Sequence, residues 1–222
     1  MSESKTKARG RPRGFDPETA LGQARDVFWD AGYAGSSLDE LSAAMEMNRP
    51  SVYAAFGDKE ALYLKTLAGY RDAGAAGMRA ELDPTRPLAD GLRQVYASAL
   101  SVYCADPDTP RGCLLIGTAA TESVRNPRVR AVMAESLDLF NAILEERFRL
   151  ARKAGEIDAT ADPAMLAKLA ASIMYALAVR ARAGESRAAL QALADAGVAM
   201  ICGGDPGTAR RRSHSSRPRR GA

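Results

Sequence analysis

Apolar residues recur at helical spacing along most of the chain, and no stretch alternates apolar and polar residues for long enough to predict a strand. The first helix is predicted to begin after Asp16, an N-cap residue followed by a proline, and to end at Gly32. Its apolar stripe consists of Leu21, Ala24, Val27, Phe28 and Ala31. The pattern therefore predicts an all-α protein.

Two short helices follow within the next twenty-five residues. Ser37 and Glu40 have the spacing of a capping box, and Asn48 is a candidate cap for the helix after it. A tight turn is expected around Glu46, and the third helix is predicted to turn Val52, Tyr53 and Phe56 inward. Three short helices with such a turn between the second and third are typical of a helix-turn-helix.

The rest of the chain reads as longer helices separated by proline and glycine. A fourth helix is predicted from near Asp58 to about Leu82, and further helices at about 88–105, 112–124, 127–153, 163–183 and 186–202. We therefore divide the chain into a basic arm (1–14), a helix-turn-helix unit (15–62), a larger helical unit (63–202) and an Arg-rich tail (203–222). Low complexity predicts that the arm and the tail are disordered.

Charge adds a second signal, because the formal net charge of +4 is unevenly placed. Lysine and arginine dominate 1–14 and 203–222, whereas the body between these segments is net acidic. Two basic ends favour a polyanionic partner, although basic tails also aid solubility. The upstream arm around Arg11 and Arg13 is narrow and cationic, as an arm in the minor groove of DNA must be.

Several classes of function are disfavoured. The basic start runs into Gly-Arg-Pro-Arg-Gly rather than an apolar stretch, and the longest uncharged run is Gln94 to Ala105, so we expect no signal peptide and no membrane span. The three cysteines form no CxxC pair, and the single histidine, His214, lies in the tail. We therefore expect no metal, no cofactor and no enzymatic activity, and a cytoplasmic location.

A helix-turn-helix explains the polar residues at the start of the third helix. The second helix of such a pair enters the major groove with its N-terminal residues on the base edges. Asn48, Arg49, Pro50 and Ser51 occupy that position and are the candidate base contacts. Ser37, Tyr53 and Lys59 are candidate phosphate contacts, two of them at predicted helix starts.

The run "DPETALGQARDVFWDAGYAGSSLDELSAAMEMNRPSVYAAFGDKEALY" resembles the DNA-binding domain of the TetR family of bacterial transcriptional repressors. The likeness rests on Ala24-x-x-Val27-Phe28, Ser36-Ser37-Leu38, Val52-Tyr53, Phe56 and Lys59-Glu60 in combination. "RGCLLIGTAATE" also resembles a stretch found in one branch of that family. One departure is that Ala54-Ala55 precede Phe56, where many members carry a polar residue.

The resemblance implies a homodimer that binds a pseudo-palindromic operator in double-stranded DNA and is released by a small-molecule ligand. Its dimer interface would lie on the last two helices, where the apolar stripes are Leu166, Leu169, Ile173 and Leu177, and Leu190, Leu193, Gly197 and Ile201. Candidate residues of the ligand pocket are Tyr96, Tyr103, Cys113, Glu122, Met133, Phe140, Met174 and Tyr175, each of which also fits core packing.

Alternatives remain at this level. Cys113 at a predicted helix start beside Arg111 would have a lowered pKa, which would suit a redox or electrophile sensor on the same fold. Cys104 is close enough in sequence for a disulfide with Cys113, but the apolar neighbours of Cys113 favour a buried, inert thiol. A nucleic-acid binder without site preference, driven by the two basic ends, is a further hypothesis.

Overall fold

A computed structural model describes residues 15–203, and within this range every regular element is helical. The N-terminal unit comprises α1 (Pro17–Gly35), α2 (Leu38–Ala44) and α3 (Arg49–Phe56). The expected all-α class is confirmed. The basic arm with Arg11 and Arg13, and the tail beyond Gly203, lie outside the described residues.

The C-terminal unit follows a long connecting helix, α4 (Lys59–Glu81). It contains α5 (Leu88–Tyr103), a π-helix (Leu115–Ala119), the single turn α6 (Ala120–Glu122) and the helices α7 (Pro127–Ala154), α8 (Pro163–Arg182) and α9 (Arg187–Ile201). Helix α8 packs against α5, α7 and α9 and so lies at the centre of this unit. Helix α4 runs through the boundary predicted at residue 62 without a break.

Local sequence explains where the helices begin and end. Side chains of Asp16, Ser37, Asn48 and Asp58 each accept a backbone N–H in the first turn of α1 to α4, which satisfies a donor that the helix itself leaves free. Ser37 and Glu40 form the predicted capping box. Regular helical geometry in α1 is interrupted at Gly32, whose φ of 73° is one that glycine adopts readily.

The N-terminal unit is held together by an aromatic cluster. The Phe28 and Tyr63 ring centroids are 4.8 Å apart, and those of Tyr33 and Tyr63 are 5.0 Å apart. Phe28, Val52 and Tyr63 are fully buried, so α1, α3 and α4 share one core. Because Tyr63 belongs to α4, the N-terminal unit is fixed directly to the helix that leads to the second unit.

Two details of the predicted helices are wrong. Tyr53 does not turn inward but is 49% exposed, because the inward face of α3 is completed by Val52 and Phe56. The helix predicted at 112–124 is instead a π-helix and one α-helical turn between Leu115 and Glu122. Helix α8 has the length and apolar composition of a membrane span, but it packs among other helices of the protein.

Candidate nucleic-acid interface

The turn between α2 and α3 has the geometry of a helix-turn-helix. The Met47 N–H donates to the Ser42 carbonyl over 2.9 Å, and Glu46 adopts a φ of 52° to reverse the chain. It is the one non-glycine residue with positive φ in the described part of the chain. The reversal places the first turn of α3 on the surface of the N-terminal unit.

The candidate base contacts lie together at this exposed first turn. Asn48 caps α3 and accepts from the Ser51 N–H over 2.9 Å, while Pro50 occupies the first turn, where its missing N–H leaves no bond unmade. Asn48, Arg49 and Pro50 are exposed, and Ser51 is half-buried. The predicted group is therefore contiguous and open to a partner.

Arg49 has a partner that sequence reasoning missed. Its Nε donates to Asp39 Oδ1 over 2.6 Å, and its Nη2 donates to Asp39 Oδ2. The hydrogen bonds from Arg49 lower the pKa of the Asp39 carboxyl, which keeps this group ionised. Both side chains remain more than half exposed, at 56% for Arg49 and 71% for Asp39.

Two candidate phosphate contacts flank this turn. Tyr53 projects from α3 into solvent, and Ser37 stands at the exposed start of α2. The Ser37 Oγ accepts from the Glu40 N–H over 3.2 Å, and the Ser37 side chain also lowers the pKa of the Glu40 carboxyl by hydrogen bonding to it. Both hydroxyl groups remain candidates for contact with anionic oxygen atoms.

Lys59 is partly engaged within the protein. Its Nζ donates to the Ser36 carbonyl over 2.5 Å and lies 4.5 Å from the centre of the Tyr33 ring. Partial burial lowers the pKa of Lys59, whereas the charge of Glu122 opposes this shift. The ammonium is thus held at the start of α4, and its other N–H groups remain for an anion.

The segment from Arg111 to Arg128 connects the two units. Arg111 lies 3.4 Å from carboxylate oxygens of both Asp26 and Asp30, and its guanidinium stacks over Trp29 with 4.8 Å to the ring centre. At the other end, Asn126 Nδ2 donates to Glu60 Oε1 over 3.2 Å. The segment therefore contacts α1 and α4 together.

The π-helix makes a buried contact between the two units. Tyr63 Oη and Thr118 Oγ1 are 2.8 Å apart, and Thr118 Oγ1 donates to the Leu114 carbonyl over 2.8 Å. Since threonine has one hydroxyl proton, Tyr63 must donate to Thr118. Burial raises the pKa of Tyr63 to about 12, so this proton stays in place at neutral pH.

Three of the candidate pocket residues lie close together. Tyr103, Tyr175 and Cys113 lie near one another, together with Tyr70, whose Oη donates to Cys113 Sγ over 3.5 Å. The Tyr175 Oη is buried without a hydrogen-bond partner in the described structure. Of the other candidates, Tyr96, Phe140 and Met174 are buried, Met133 is half-buried on α7, and Glu122 faces Lys59.

Cys113 differs from the expected reactive thiol. Burial raises the pKa of Cys113, because the charged thiolate would lose its hydration, and Arg111 is occupied by Asp26 and Asp30. The expected lowering of its pKa is therefore wrong. Cys104, Cys113 and Cys202 are all free thiols, so the disulfide considered for Cys104 and Cys113 is absent.

A cavity of about 400 Å³ opens beside the π-helix. Its lining is apolar except for the Arg182 guanidinium and the Cys113 thiol, and it consists of Cys113, Ile116, Gly117, Ala178, Val179, Arg182 and Ala183. Gly117 allows the close approach of Arg182, because a Cβ at this position would lie 2.5 Å from Arg182 Nη1. Of the candidate pocket residues, Cys113 alone lines this cavity.

The predicted dimer stripes are divided between the core of the protomer and its surface. Leu177 and Leu190 are fully buried within the protomer, and Gly197 packs against Ile173 of the same chain. Leu166, Ile173, Leu193 and Ile201 are half-buried, and Leu169 is 50% exposed. The exposed large apolar side chains of α8 and α9 are Met165, Leu169, Val179 and Met200, which we call the outward apolar face.

Comparison with known proteins agrees with this architecture. The family model described as "Bacterial regulatory proteins, tetR family" matches residues 20–66, which include α2 and α3. The model described as "Tetracyclin repressor-like, C-terminal domain" matches residues 89–196. The two matches thus cover the N-terminal unit and most of the C-terminal unit.

One curated relative is similar over most of the chain. The HTH-type transcriptional repressor ComR of Escherichia coli (strain K12) is 30% identical over 188 residues, which is 85% of this chain and 90% of ComR.

Among solved structures, a cysteine mutant of the TetR family transcriptional regulator CifR, complexed with 26-bp double-strand operator DNA, is 34% identical with a TM-score of 0.72 and covers 85% of this chain and 98% of that chain. The regulatory protein TetR from Rhodobacter sphaeroides shares the fold at 22% identity, with a TM-score of 0.73 over 82% of this chain and 96% of that chain. This chain therefore belongs to the TetR family of bacterial regulatory proteins.

Proposed function

We propose that the protein is a site-specific transcriptional repressor that binds operator DNA as a homodimer and is released by a small-molecule ligand. The exposed first turn of α3 carries this proposal, since Asn48, Arg49 and Ser51 are grouped where a helix-turn-helix reads bases. Ser37, Tyr53 and Lys59 surround that turn and would contact phosphates, as would Arg11 and Arg13 of the arm. We propose that it acts in the cytoplasm and without catalysis.

The outward apolar face supports the homodimer. Met165 is 53% exposed, Leu169 50% and Val179 56% on one side of α8, while Met200 is 72% exposed on α9. Exposed apolar patches of this kind are usually covered by a partner. In a two-fold dimer the same helices of both copies would meet, and each reading unit would face one half of a palindrome.

The cavity beside the π-helix supports regulation by a ligand. It adjoins Ile116 and Gly117, and Thr118 of the same short segment is bonded to Tyr63 in the core of the N-terminal unit. A single turn of π-helix marks functional sites in many proteins. A ligand in this cavity would therefore displace a segment that holds α4, and the position of the reading unit would change with it.

Two measurements test this proposal on the full chain. Sedimentation velocity should report a dimer for the wild type and a monomer for Leu169→Glu, because the glutamate would place a charge inside the interface. Val102→Glu is the matched control, since Val102 is likewise a half-exposed apolar residue, at 43%, but belongs to α5 rather than to α8 or α9. The proposal of a dimer fails if the wild type sediments as a monomer, and the assignment of its interface to this face fails if Leu169→Glu remains a dimer.

Gel-shift titration tests the DNA contacts. Lys59→Ala and Tyr53→Phe should weaken binding to all duplexes alike, whereas Arg49→Ala and Ser51→Ala should change which duplex is preferred. If binding were unchanged in Lys59→Ala and in Arg49→Ala, the assignment of these contacts would be wrong.

A further inference from the structure

Asp39 of α2 is bound to the side chain of Arg49 at the start of α3. The guanidinium uses Nε and Nη2, and both oxygen atoms of the carboxylate accept, so the contact is bidentate. Such a contact fixes the plane of the guanidinium as well as its position. An arginine at the first turn of a recognition helix is thus held in one orientation before any DNA is present.

The pair leaves a complete donor edge unused. Nη1 has no hydrogen-bond partner in the described residues 15–203, and the second N–H of Nη2 is likewise unpaired there. One N–H of Nη1 and one of Nη2 point in parallel from the end of the guanidinium. Guanine presents O6 and N7 in the major groove at the spacing that such an edge matches.

We infer that Asp39 is a positioning residue for sequence recognition, which holds Arg49 so that its free edge reads a guanine in each half of the operator. This inference rests on the proposed binding of an operator. Fixing the side chain in advance reduces the rotamer freedom that binding would otherwise remove. The reading group of the protein is therefore the Asp39–Arg49 pair rather than the arginine alone.

The neutral charge of the Asp39–Arg49 pair affects discrimination between bases and non-specific affinity for DNA in different ways. An unpaired arginine beside the major groove would attract phosphates of any sequence, whereas the Asp39–Arg49 pair is neutral overall. Loss of the carboxylate therefore has two opposite consequences. Affinity for unrelated DNA rises, and discrimination at one base pair falls.

The experiment compares Asp39→Asn, Arg49→Ala and their double variant with a charge-matched control, Glu46→Gln. Glu46 is exposed in the turn before α3 and has no ion pair in the described structure, so its change alters charge without touching Arg49. Fluorescence anisotropy would measure binding to the selected operator, to operators with each base pair replaced symmetrically, and to an unrelated duplex. Circular dichroism would confirm the helical content of each variant.

The expected result is a position at which the wild type prefers G·C by roughly 5- to 150-fold per half-site. Arg49→Ala loses this preference, and Asp39→Asn loses several-fold of it while binding unrelated DNA more tightly. Glu46→Gln also binds unrelated DNA more tightly but keeps the preference. The double variant should match Arg49→Ala in base discrimination, because Asp39 acts on the preference through that arginine, although loss of the carboxylate still tightens its binding to unrelated DNA.

Three outcomes would overturn the inference. Unchanged discrimination in folded Asp39→Asn would mean that the carboxylate only stabilises the fold. Sharper discrimination in that variant would mean that Asp39 withholds Arg49 from DNA. Operator binding by the wild type with no base preference lost in Arg49→Ala would refute the reading role while leaving the proposed function intact. If the wild type had no preferred site at all, the proposed function itself would fail.

Discussion

The hydrogen bond between Tyr63 and Thr118 gives a sharp prediction about the junction of the two units. Thr118 is 5% exposed and Tyr63 is fully buried, so water cannot replace a lost partner. Thr118→Val keeps the shape of the side chain but leaves the Tyr63 hydroxyl without an acceptor. We expect a loss of about 1–3 kcal/mol in the free energy of unfolding, the usual penalty for a buried unsatisfied group.

The reverse change is expected to cost less. In Tyr63→Phe, Thr118 still donates to the Leu114 carbonyl, and no donor is left unpaired. The loss should therefore be about 0.5–1.5 kcal/mol. The double variant replaces both polar groups by apolar ones and should be more stable than Thr118→Val alone, with a coupling energy of about 1–2 kcal/mol.

Urea unfolding followed by circular dichroism measures these values, at one protein concentration because association with a partner copy shifts the midpoint. Thr66→Val is the matched control, since Thr66 is also buried but donates to the Tyr63 carbonyl of its own helix over 2.7 Å. Removal of the Thr66 hydroxyl leaves no buried donor without an acceptor and should change the free energy of unfolding little. A loss in Thr118→Val no larger than in Thr66→Val, or additive losses in the double variant, would refute the reasoning.

Three further predictions follow from particular residues. Gly112→Ala should lower the free energy of unfolding by about 1–3 kcal/mol, because its φ is 64° and the new Cβ would lie 2.5 Å from the Ala178 carbonyl oxygen. Gly69→Ala in α4 meets no atom within 4 Å and should raise the free energy of unfolding by about 0.4–1 kcal/mol. Thermal melting compares the two variants, and equal effects would contradict the backbone strain inferred at Gly112. The contribution of Tyr63 to the free energy of unfolding should be complete below about pH 10 and be lost as pH rises towards 12, because the Tyr63 hydroxyl loses its proton in the unfolded chain first. Urea midpoints measured at both ends of this range should therefore fall less in Tyr63→Phe than in the wild type. Iodoacetamide at neutral pH should label Cys113 more slowly than the half-buried Cys104, because Cys113 is 6% exposed and burial raises its pKa. Peptide mass spectrometry measures the two rates, and faster labelling of Cys113 would favour the hypothesis of a thiol sensor.

Much of the fold was predictable because its signals are local. The caps at Asp16, Ser37 and Asn48 and the proline at the start of α3 act on backbone groups within one turn, so the sequence alone indicates where these helices begin. The grouping of polar residues at the first turn of α3 follows from the same local rules. These features were sufficient to predict the helix-turn-helix and its exposed face.

The remaining features depend on contacts between distant residues. Helix α8 is apolar on nearly every side, and periodicity cannot decide that Leu177 faces the core while Met165 faces solvent. The π-helix lies in a segment whose Gly112 and Gly117 allow α8 to approach, a fact that no local propensity encodes. Asp39 and Arg49 belong to different helices, and their pairing becomes evident only when the turn brings them together.

The central claim is that this chain recognises one DNA site as a symmetric dimer. Selection of binding sites from random duplex DNA, with the purified full-length protein at near-physiological salt, tests it most directly. The account predicts enrichment of a single inverted repeat whose half-sites are spaced by whole turns of the double helix. Recovery of duplexes with no shared motif, bound with a steep dependence on salt, would contradict it and indicate binding through charge alone.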